Sequence, residues 1–293
     1  EEVVKRGTFE TKAHGKQQRF FCKKCNKKFI IRTAFYHMRN NPQKITLCLD
    51  LFYRGVSTRK VQEHLQAFYP HNSSHKSIYL WVVKYAKLID NFTDNLKLQV
   101  GQEVQIDEVE YKRRKSHKKG SKGIVDNFFI DSIDTTTRFM VASNYVNARG
   151  NKELKEVATS IKKKTGEQVK MVTTDGLLNY ENIIKKVWGY NKQIQQFNIL
   201  HNKVVTSKEE VFNYPIERLH NNVRARTKVM RGFHGSVKSA NAIMKGYSIY
   251  YNFITRHQAI NCCPYELAIP ELNPQLNVPN KWLALINLAI QNN

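Results

Sequence analysis

The sequence predicts an α/β protein in which a mixed five-stranded sheet with flanking helices follows a small β-rich segment and a three-helix unit. Three observations support this prediction. The first third of the chain contains helical apolar periodicity, three strand-like runs follow one another near its middle, and helices then alternate with strands toward the C-terminus. With 293 residues, 41% of them hydrophobic, the chain is long enough for one large core and one or two small modules.

The chain is strongly basic, and this charge indicates its partner. It has 48 Lys and Arg residues against 24 Asp and Glu, a formal net charge of +24. Such an excess attracts polyanions, so double-stranded DNA is the expected partner and a membrane surface is the competing one. No apolar run approaches the roughly 18 residues of a spanning helix, and the first residues contain no signal-peptide core. We therefore expect a soluble, intracellular protein with no membrane partner.

Residues 1–35 are predicted to be a small β-rich segment with a turn at Gly15. Cys22 and Cys25 have the C-x2-C spacing of half a tetrahedral zinc site. The sequence has no second pair of this spacing, and His14 is the only nearby substitute upstream. Zinc is therefore a candidate cofactor only if two further ligands are supplied. The five cysteines have no regular spacing and do not predict a disulfide framework.

Residues 36–92 are predicted to form three helices. The first ends at Gly55, Ser57 can cap the second, and Ser74 can cap the third. The third helix has one apolar stripe, formed by Ile78, Val82, Tyr85 and Ile89. Two short helices followed by a longer helix with a polar start are typical of helix-turn-helix DNA-binding domains, although an ordinary three-helix bundle has the same pattern. The residues expected to face the major groove are His75, Lys76, Ser77 and Tyr79.

A polar linker at 93–101 leads to the predicted α/β domain at 102–270, which a C-terminal extension at 271–293 follows. Three strands come first, and a helix closed near Gly166 follows them. The order continues with a strand, a helix, a fifth strand in "QIQQFNIL" and a long helix from about Pro215. This succession predicts a ribonuclease-H-like fold.

Three acids are predicted to converge in this fold. Asp107 lies in the middle of the first strand, Asp175 ends the fourth strand, and Glu217 begins the helix after the fifth strand. The first and fourth strands are neighbours in a ribonuclease-H-like sheet, and that helix packs across their ends. The alternative is that Asp107 lies on the solvent face of an edge strand, since burying a carboxylate is costly without a compensating cation or hydrogen bonds.

Clustered carboxylates suit metal-assisted phosphodiester chemistry. Two divalent ions roughly 3.5–4 Å apart stabilise charge on the attacking and leaving oxygens, and Mg²⁺ prefers oxygen ligands. Other acids are weaker candidates. Asp134 is interpreted as a turn residue, and Glu108 and Glu110 as solvated side chains.

Two groups of cations lie near these acids in the sequence and are predicted to contact the phosphate backbone of DNA. One group follows Glu217 along its helix and comprises Arg224, Arg226, Lys228 and Arg231, together with Arg218. A second group lies in a Gly-containing hairpin at 111–123 and includes Arg113, Arg114, Lys118 and Lys119. A structural helix could carry the first group as a solvated face.

Several segments together resemble insertion-sequence DDE transposases, most closely archaeal ones. The specific part is "ERLHNNVRARTKVMRGF" with "GYSIYYNFITRHQAI" and "PYELA"; "IDEVEY", "TDG", "SIYLWVVKY" and "RFFCKKCNKKF" resemble other parts of the same family. The chain departs from the family pattern in lacking the first cysteine pair of the zinc ribbon, in "LHNN" and in "NCCPYELA". The missing cysteine pair bears on whether the chain binds zinc. The other two departures do not affect the three predicted catalytic acids.

The resemblance implies a function. Asp107, Asp175 and Glu217 would be catalytic acids that bind Mg²⁺ or Mn²⁺, with two ions expected. The enzyme would cut at the ends of its mobile element and join them to target DNA, as a homodimer or larger homo-oligomer on DNA. It would be cytoplasmic and associated with the nucleoid of a prokaryote. Two alternatives stay open: a DNA-binding regulator derived from a transposase without catalysis, and a metal-dependent nuclease or recombinase on the same fold.

Overall fold

The computed structural model describes most of the chain, namely residues 2–69, 73–114, 124–204, 214–230, 232–233 and 236–292, without the side chains of 112–114 and 124–125. It is a mixed α/β structure with a five-stranded mixed sheet flanked by helices. Within the described residues, no helix combines the length and the apolar character needed to cross a membrane.

The N-terminal segment is an antiparallel sheet of three strands. They are β1 (Val3–Thr11), β2 (Gly15–Cys22) and β3 (Lys27–Phe29), with β2 in the centre. The predicted turn at Gly15 is confirmed: this residue has a φ of 60°, which glycine adopts without steric cost.

Three helices follow, as predicted. They are α1 (Pro42–Tyr53), α2 (Thr58–Phe68) and α3 (His75–Thr93). Both predicted serine caps are confirmed, because Ser57 accepts a hydrogen bond from the Lys60 amide and Ser74 accepts one from the Ser77 amide. All four residues of the predicted stripe on α3 are fully buried.

The large sheet has the strand order β10-β7-β4-β5-β6. The first three strands in sequence, β4 (Glu103–Arg114), β5 (Ile124–Asp134) and β6 (Met140–Val146), are antiparallel neighbours. After α4 (Asn151–Thr165), β7 (Met171–Thr174) pairs in parallel with β4, so the predicted adjacency of the first and fourth strands is confirmed. α5 (Asn179–Trp188) follows, and β10 (Leu200–Lys203) pairs in parallel with β7. This arrangement is compatible with a ribonuclease-H-like core.

The predicted fifth strand is partly wrong. Most of "QIQQFNIL" belongs to a separate hairpin of β8 (Tyr190–Asn191) and β9 (Gln196–Phe197), and the fifth strand of the large sheet begins only at Leu200. Two local contacts explain the hairpin. The Asn191 side chain accepts the Gln193 amide within the turn, and the Tyr190 and Phe197 rings pack edge-to-face across the pair.

The C-terminal part is helical. α6 (Tyr214–Lys228) confirms the predicted helix near Pro215, and α7 (Val237–Ile249) continues directly into a π-helical turn, Tyr250–Ile254. The remaining elements are α8 (Pro264–Ala268), a 3₁₀ turn (Pro270–Leu272), α9 (Asn273–Leu276) and α10 (Lys281–Gln291).

The three-helix unit shares its core with the rest of the molecule. α3 packs against both α7 and α10, and buried residues from all parts beyond the N-terminal sheet belong to one hydrophobic cluster. The helices α3 and α7 approach closely at Gly246, where a β-carbon would overlap the Tyr53 hydroxyl and lie 2.9 Å from the Ala86 β-carbon. The predicted boundary at 93–101 therefore separates two sequence regions that are packed together.

Candidate metal centre

Two acids from adjacent strands meet at one end of the large sheet. Asp107 lies within β4, and Asp175 directly follows β7. The parallel register pairs Gln105 with Thr173, so the positions two residues further along each strand lie side by side. Oxygen atoms of Asp107 and Asp175 lie within 4.8 Å of each other, and both side chains are half-buried. The predicted convergence of these two acids is confirmed, and Asp107 does not lie on an edge strand.

Glu108 is the third acid of the cluster. One of its carboxylate oxygens also lies within 4.8 Å of Asp107 and Asp175. A residue of α5 holds this side chain, since the Tyr180 hydroxyl donates a 2.9 Å hydrogen bond to Glu108 Oε2. The interpretation of Glu108 as a solvated side chain is wrong, because α5 covers this part of the sheet. Glu110, two residues further along, is exposed as expected.

The environment of these carboxylates favours a cation. Burial raises the pKa of Asp107 to about 6; the charge of His220 opposes this shift, and Asp131 and Asp175 add to it. Burial also raises the pKa of Glu108 to about 7, against the hydrogen bond from Tyr180. Glu108 Oε1 is buried and has no hydrogen-bond partner among the described residues. Three hard oxygen donors and an unsatisfied buried carboxylate atom fit a divalent ion such as Mg²⁺.

His220 links the cluster to a fourth acid. On α6, its Nδ1 lies 3.4 Å from Asp107 Oδ2, and its Nε2 lies 2.7 Å from Asp131 Oδ1. Asp131 is fully buried and pairs with Asp107 across β4 and β5. Burial opposes a charge on His220, but the two carboxylates prevail and raise its pKa. This Asp–His–Asp arrangement was not predicted from the sequence. One feature of the sequence could have indicated it: His220 follows Leu219 on the apolar face of α6, a position that predicts a buried histidine.

Glu217 lies near this arrangement but outside the three-acid cluster. It is exposed on the first turn of α6, one helical turn before His220. The same turn is anchored to the sheet, because the Ile216 amide donates to Gln105 Oε1 at 3.2 Å. The role of Glu217 as a third catalytic acid stays a prediction.

The predicted DNA contacts differ in their exposure. At the start of α3, Lys76 is exposed and His75, Ser77 and Tyr79 are half-buried. On α6, Arg224 and Lys228 are exposed, but Arg226 is only 6% exposed and is not part of a solvated cationic flank. The side chains of Arg113 and Arg114, and the whole of Lys118, Lys119 and Arg231, lie outside the described residues.

The cysteine pair has no complete ligand set. Cys22 ends β2 and Cys25 lies in the following turn, and hydrogen bonds from the Cys25 amide and thiol lower the pKa of Cys22. His14 is engaged elsewhere, with Nε2 2.8 Å from the Met38 carbonyl oxygen. Among the side chains that the structure describes, no third His, Cys, Asp or Glu completes a group with this pair. Zinc binding stays a prediction that needs ligands from outside it.

The chain was also compared with known proteins. It matches no model of a known protein family and no curated protein sequence.

Proposed function

We propose that this protein is a DDE-type transposase that binds the ends of its mobile element and carries out metal-dependent cleavage and joining of DNA. The observation that carries the proposal is the meeting of Asp107 and Asp175 on adjacent strands of a sheet compatible with a ribonuclease-H-like core. The net charge of +24 supports a polyanionic substrate.

Asp107, Glu108 and Asp175 would hold the divalent ion. When bound, Mg²⁺ or Mn²⁺ would stabilise negative charge on the oxygens of the reacting phosphodiester. His220 orients the Asp107 carboxylate, and its partner Asp131 is fixed within the sheet.

Glu217 would add the third acid of the DDE set from the first turn of α6, and a second ion would need it. Exposed cations such as Arg224 and Lys228 would contact backbone phosphates.

A nuclease or recombinase on the same fold is the second candidate. The observation that favours it is the composition of the cluster, in which Glu108 is the third acid and Glu217 is not included. Both functions need Asp107 and Asp175, and they differ in whether a cut 3′ end is joined to a second DNA molecule.

The test uses DNA that carries the sequences flanking the gene, with Mg²⁺ or Mn²⁺ present. We expect Asp107→Asn, Asp175→Asn and Glu217→Gln each to lower both cleavage and joining by at least about a hundredfold, since each removes a charge at the reacting centre. DNA binding should persist because cations make the phosphate contacts. Glu110→Gln, an exposed acid on the same strand, is the matched control and should keep full activity.

Three results would decide against parts of this proposal. Cleavage without joining by the wild type would favour the nuclease. Full activity in Glu217→Gln with none in Glu108→Gln would move the third acid to Glu108. Absence of both cleavage and joining in the wild type, with DNA binding intact, would favour a DNA-binding regulator.

A further inference from the structure

A large cleft lies beside α6, on the side of this helix opposite His220. It has a volume of about 950 Å³ and opens between the end of α1, α6 and the π-helical turn at Tyr250–Ile254. Asn222 of α6 lines the cleft. His220 and Arg224 are each two residues from Asn222 and therefore lie about 160° away from it around the helix. One helix thus separates the cleft from the acid cluster and from the exposed cation Arg224.

The cleft is lined by arginines from separate parts of the chain, and we call it the arginine cleft. They are Arg54 at the end of α1, Arg138 between β5 and β6, Arg218 and Arg226 on α6, and Arg256 after the π-helical turn. None of the described residues that line the cleft is Asp or Glu. Of the five arginines, only Arg54 has an ion-pair partner among the described residues, namely Asp50. A concave surface with this charge attracts anions.

Arg226 carries a charge that the described part of the fold does not compensate. Its side chain is only 6% exposed, and the guanidinium lies 4.4 Å from the centre of the Phe52 ring. All three guanidinium nitrogens are buried and have no hydrogen-bond partner among the described residues. Burial lowers the pKa of Arg226 to about 10, so it stays charged at neutral pH. A buried, unpaired cation is costly, and an anion held in the adjacent cleft would reduce that cost.

His257 lies in the same positive potential. Burial lowers its pKa, and the charges of Arg138 and Arg218 lower it further. These two arginines belong to different elements, yet both act on this one residue of the cleft wall. Thr255 Oγ1 and His257 Nδ1 are also buried atoms without a hydrogen-bond partner in the described part of the chain. The protein itself therefore leaves both charge and hydrogen-bonding capacity unsatisfied in the arginine cleft.

The arginines that are open to a ligand are spread along the cleft. Arg218 and Arg256 are exposed, and Arg138 is half-buried. Within the described residues, none of these three forms an ion pair. A guanidinium binds phosphate oxygens through two parallel hydrogen bonds. Because the cations come from several elements, they suit a ligand with several phosphates in a row better than one small anion.

We propose that the arginine cleft binds the phosphate backbone of duplex DNA, with direct contacts from Arg218 and Arg256. Arg226 is covered, so it strengthens the positive potential from within the wall and makes no direct contact. The proposal rests on the proposed function to the extent that DNA is the ligand. Since the cleft lies across α6 from the acids, the DNA segment that it holds is separate from the segment that reacts.

The test measures binding of a fluorescent duplex by the full chain, by anisotropy, without divalent metal and at several salt concentrations. We expect Arg218→Gln/Arg256→Gln to bind at least about tenfold more weakly than the wild type. The slope of log affinity against log salt concentration should become less steep by about 2, because each phosphate contact contributes about 0.9 to it.

The matched control is Lys152→Gln/Lys155→Gln, which removes two exposed cations from α4 and changes the net charge by the same amount. Neither lysine lines the arginine cleft. This variant should change the affinity by less than about threefold and the slope by less than about 0.5. Equal effects of the two double variants would mean that net charge alone attracts DNA, and would overturn the proposal.

Two duplexes of unrelated sequence test whether the contacts are to the backbone. Phosphate contacts do not depend on sequence, so Arg218→Gln/Arg256→Gln should lose the same factor in affinity for both. A loss confined to one duplex would indicate contacts to bases and overturn the assignment to backbone phosphates.

A small anion is the competing ligand, and inorganic phosphate is its probe. Melting temperatures are compared in phosphate and in chloride at equal ionic strength. If the cleft took a small anion, phosphate would stabilise the wild type but not Arg218→Gln/Arg256→Gln, and the two proteins would bind DNA equally. That result would overturn the proposal.

Arg226 is tested by Arg226→Met. We expect about a two- to fivefold loss of duplex affinity, with a melting temperature equal to or higher than that of the wild type, because an apolar side chain replaces an unpaired buried charge. Unchanged affinity with a lower melting temperature would show that Arg226 is structural and overturn its role here.

These measurements are independent of catalysis. Because no metal is present, inactive Asp107→Asn should bind the duplex at least as tightly as the wild type. A wild type that binds DNA through the arginine cleft but neither cleaves nor joins it would refute the proposed function alone. Full cleavage and joining by the wild type, with unweakened DNA binding by Arg218→Gln/Arg256→Gln, would refute the cleft alone.

Discussion

At the scale of single residues, Asp107, Glu108 and His220 of the candidate site all bind a proton more tightly in the folded state than in the unfolded state. The pKa of Asp107 is raised from 3.8 to about 6, and that of Glu108 from 4.5 to about 7, chiefly by burial. The folded state therefore binds more protons than the unfolded state between about pH 4 and pH 7, so both groups make folding less favourable as pH rises. His220 adds in the same direction, because its raised pKa supplies stability that is lost as pH rises through that value.

We predict that metal-free wild type loses stability relative to Asp107→Asn/Glu108→Gln as pH rises from 4 to 7. The difference arises because the variant has no carboxylates to ionise at these positions, and each unit of raised pKa corresponds to about 1.4 kcal/mol. Chemical denaturation at several pH values would measure it. Mn²⁺ should reverse the effect for wild type above pH 7, since it binds the ionised carboxylates. A constant difference across this pH range would contradict the assignment.

His220 also gives a prediction about stability. Asp131 is fully buried, so removing its partner in His220→Ala leaves a charge without compensation, at a cost of about 3–5 kcal/mol. The double variant Asp131→Asn/His220→Ala should recover part of this loss, giving a coupling energy of about 1–3 kcal/mol in a denaturation cycle. His64→Ala, an exposed histidine on α2, should change stability by less than about 0.5 kcal/mol. Additive effects of the two changes would mean that the pair does not interact.

At the scale of elements, Gly246 determines how closely α7 approaches its neighbours. Gly246 allows its backbone to approach Tyr53 and Ala86, which places the helix against α1 and α3. Beyond this crossing, Lys245 pairs with Asp90 of α3 at 3.5 Å. The close contact also sets the position of the π-helical turn, because that turn continues α7 directly.

Gly246→Ala should therefore destabilise the protein even though alanine favours helices. The new methyl group overlaps the Tyr53 hydroxyl, and such overpacking costs about 1–3 kcal/mol, more than the gain of roughly 1 kcal/mol in helix propensity. Lys238→Ala, at an exposed position on the same helix, is the control and should stay within about 0.5 kcal/mol of wild type. Denaturant unfolding would measure both. An unchanged or higher stability of Gly246→Ala would show that α3 and α7 pack less closely than described.

At the scale of the whole molecule, features that depend on neighbouring residues could be predicted from the sequence better than contacts between distant elements. The caps at Ser57 and Ser74 and the stripe on α3 depend on neighbouring residues, so spacing alone identified them. Asp107 and Asp175 were predicted because strand order placed them side by side. Glu108 is covered by α5 and Arg226 packs on Phe52, and each of these partners is remote in sequence from the residue it covers. No local pattern indicates which side of an element another element will cover.

The same distinction between local and distant contacts applies to the three-helix unit at 36–92. Its helices are encoded locally, but α3 completes its packing with α7 and α10, including the contacts of Ala86 and Asp90 with Gly246 and Lys245. Cutting the chain at 92 would expose this apolar face to water, and three short helices alone bury little surface. We therefore expect the isolated segment to be helical but to lack a fixed core.

This expectation can be tested with two polypeptides. The segment 36–92 alone should show helical circular dichroism, a broad thermal transition and poorly dispersed amide resonances. The same segment joined by a flexible linker to 237–291, which restores α7 and α10, should unfold cooperatively and give dispersed resonances. A sharp transition for the short segment would instead show that the predicted DNA-binding unit folds independently. In that case the contacts with α7 and α10 would resemble a domain interface, and the unit could move relative to the sheet.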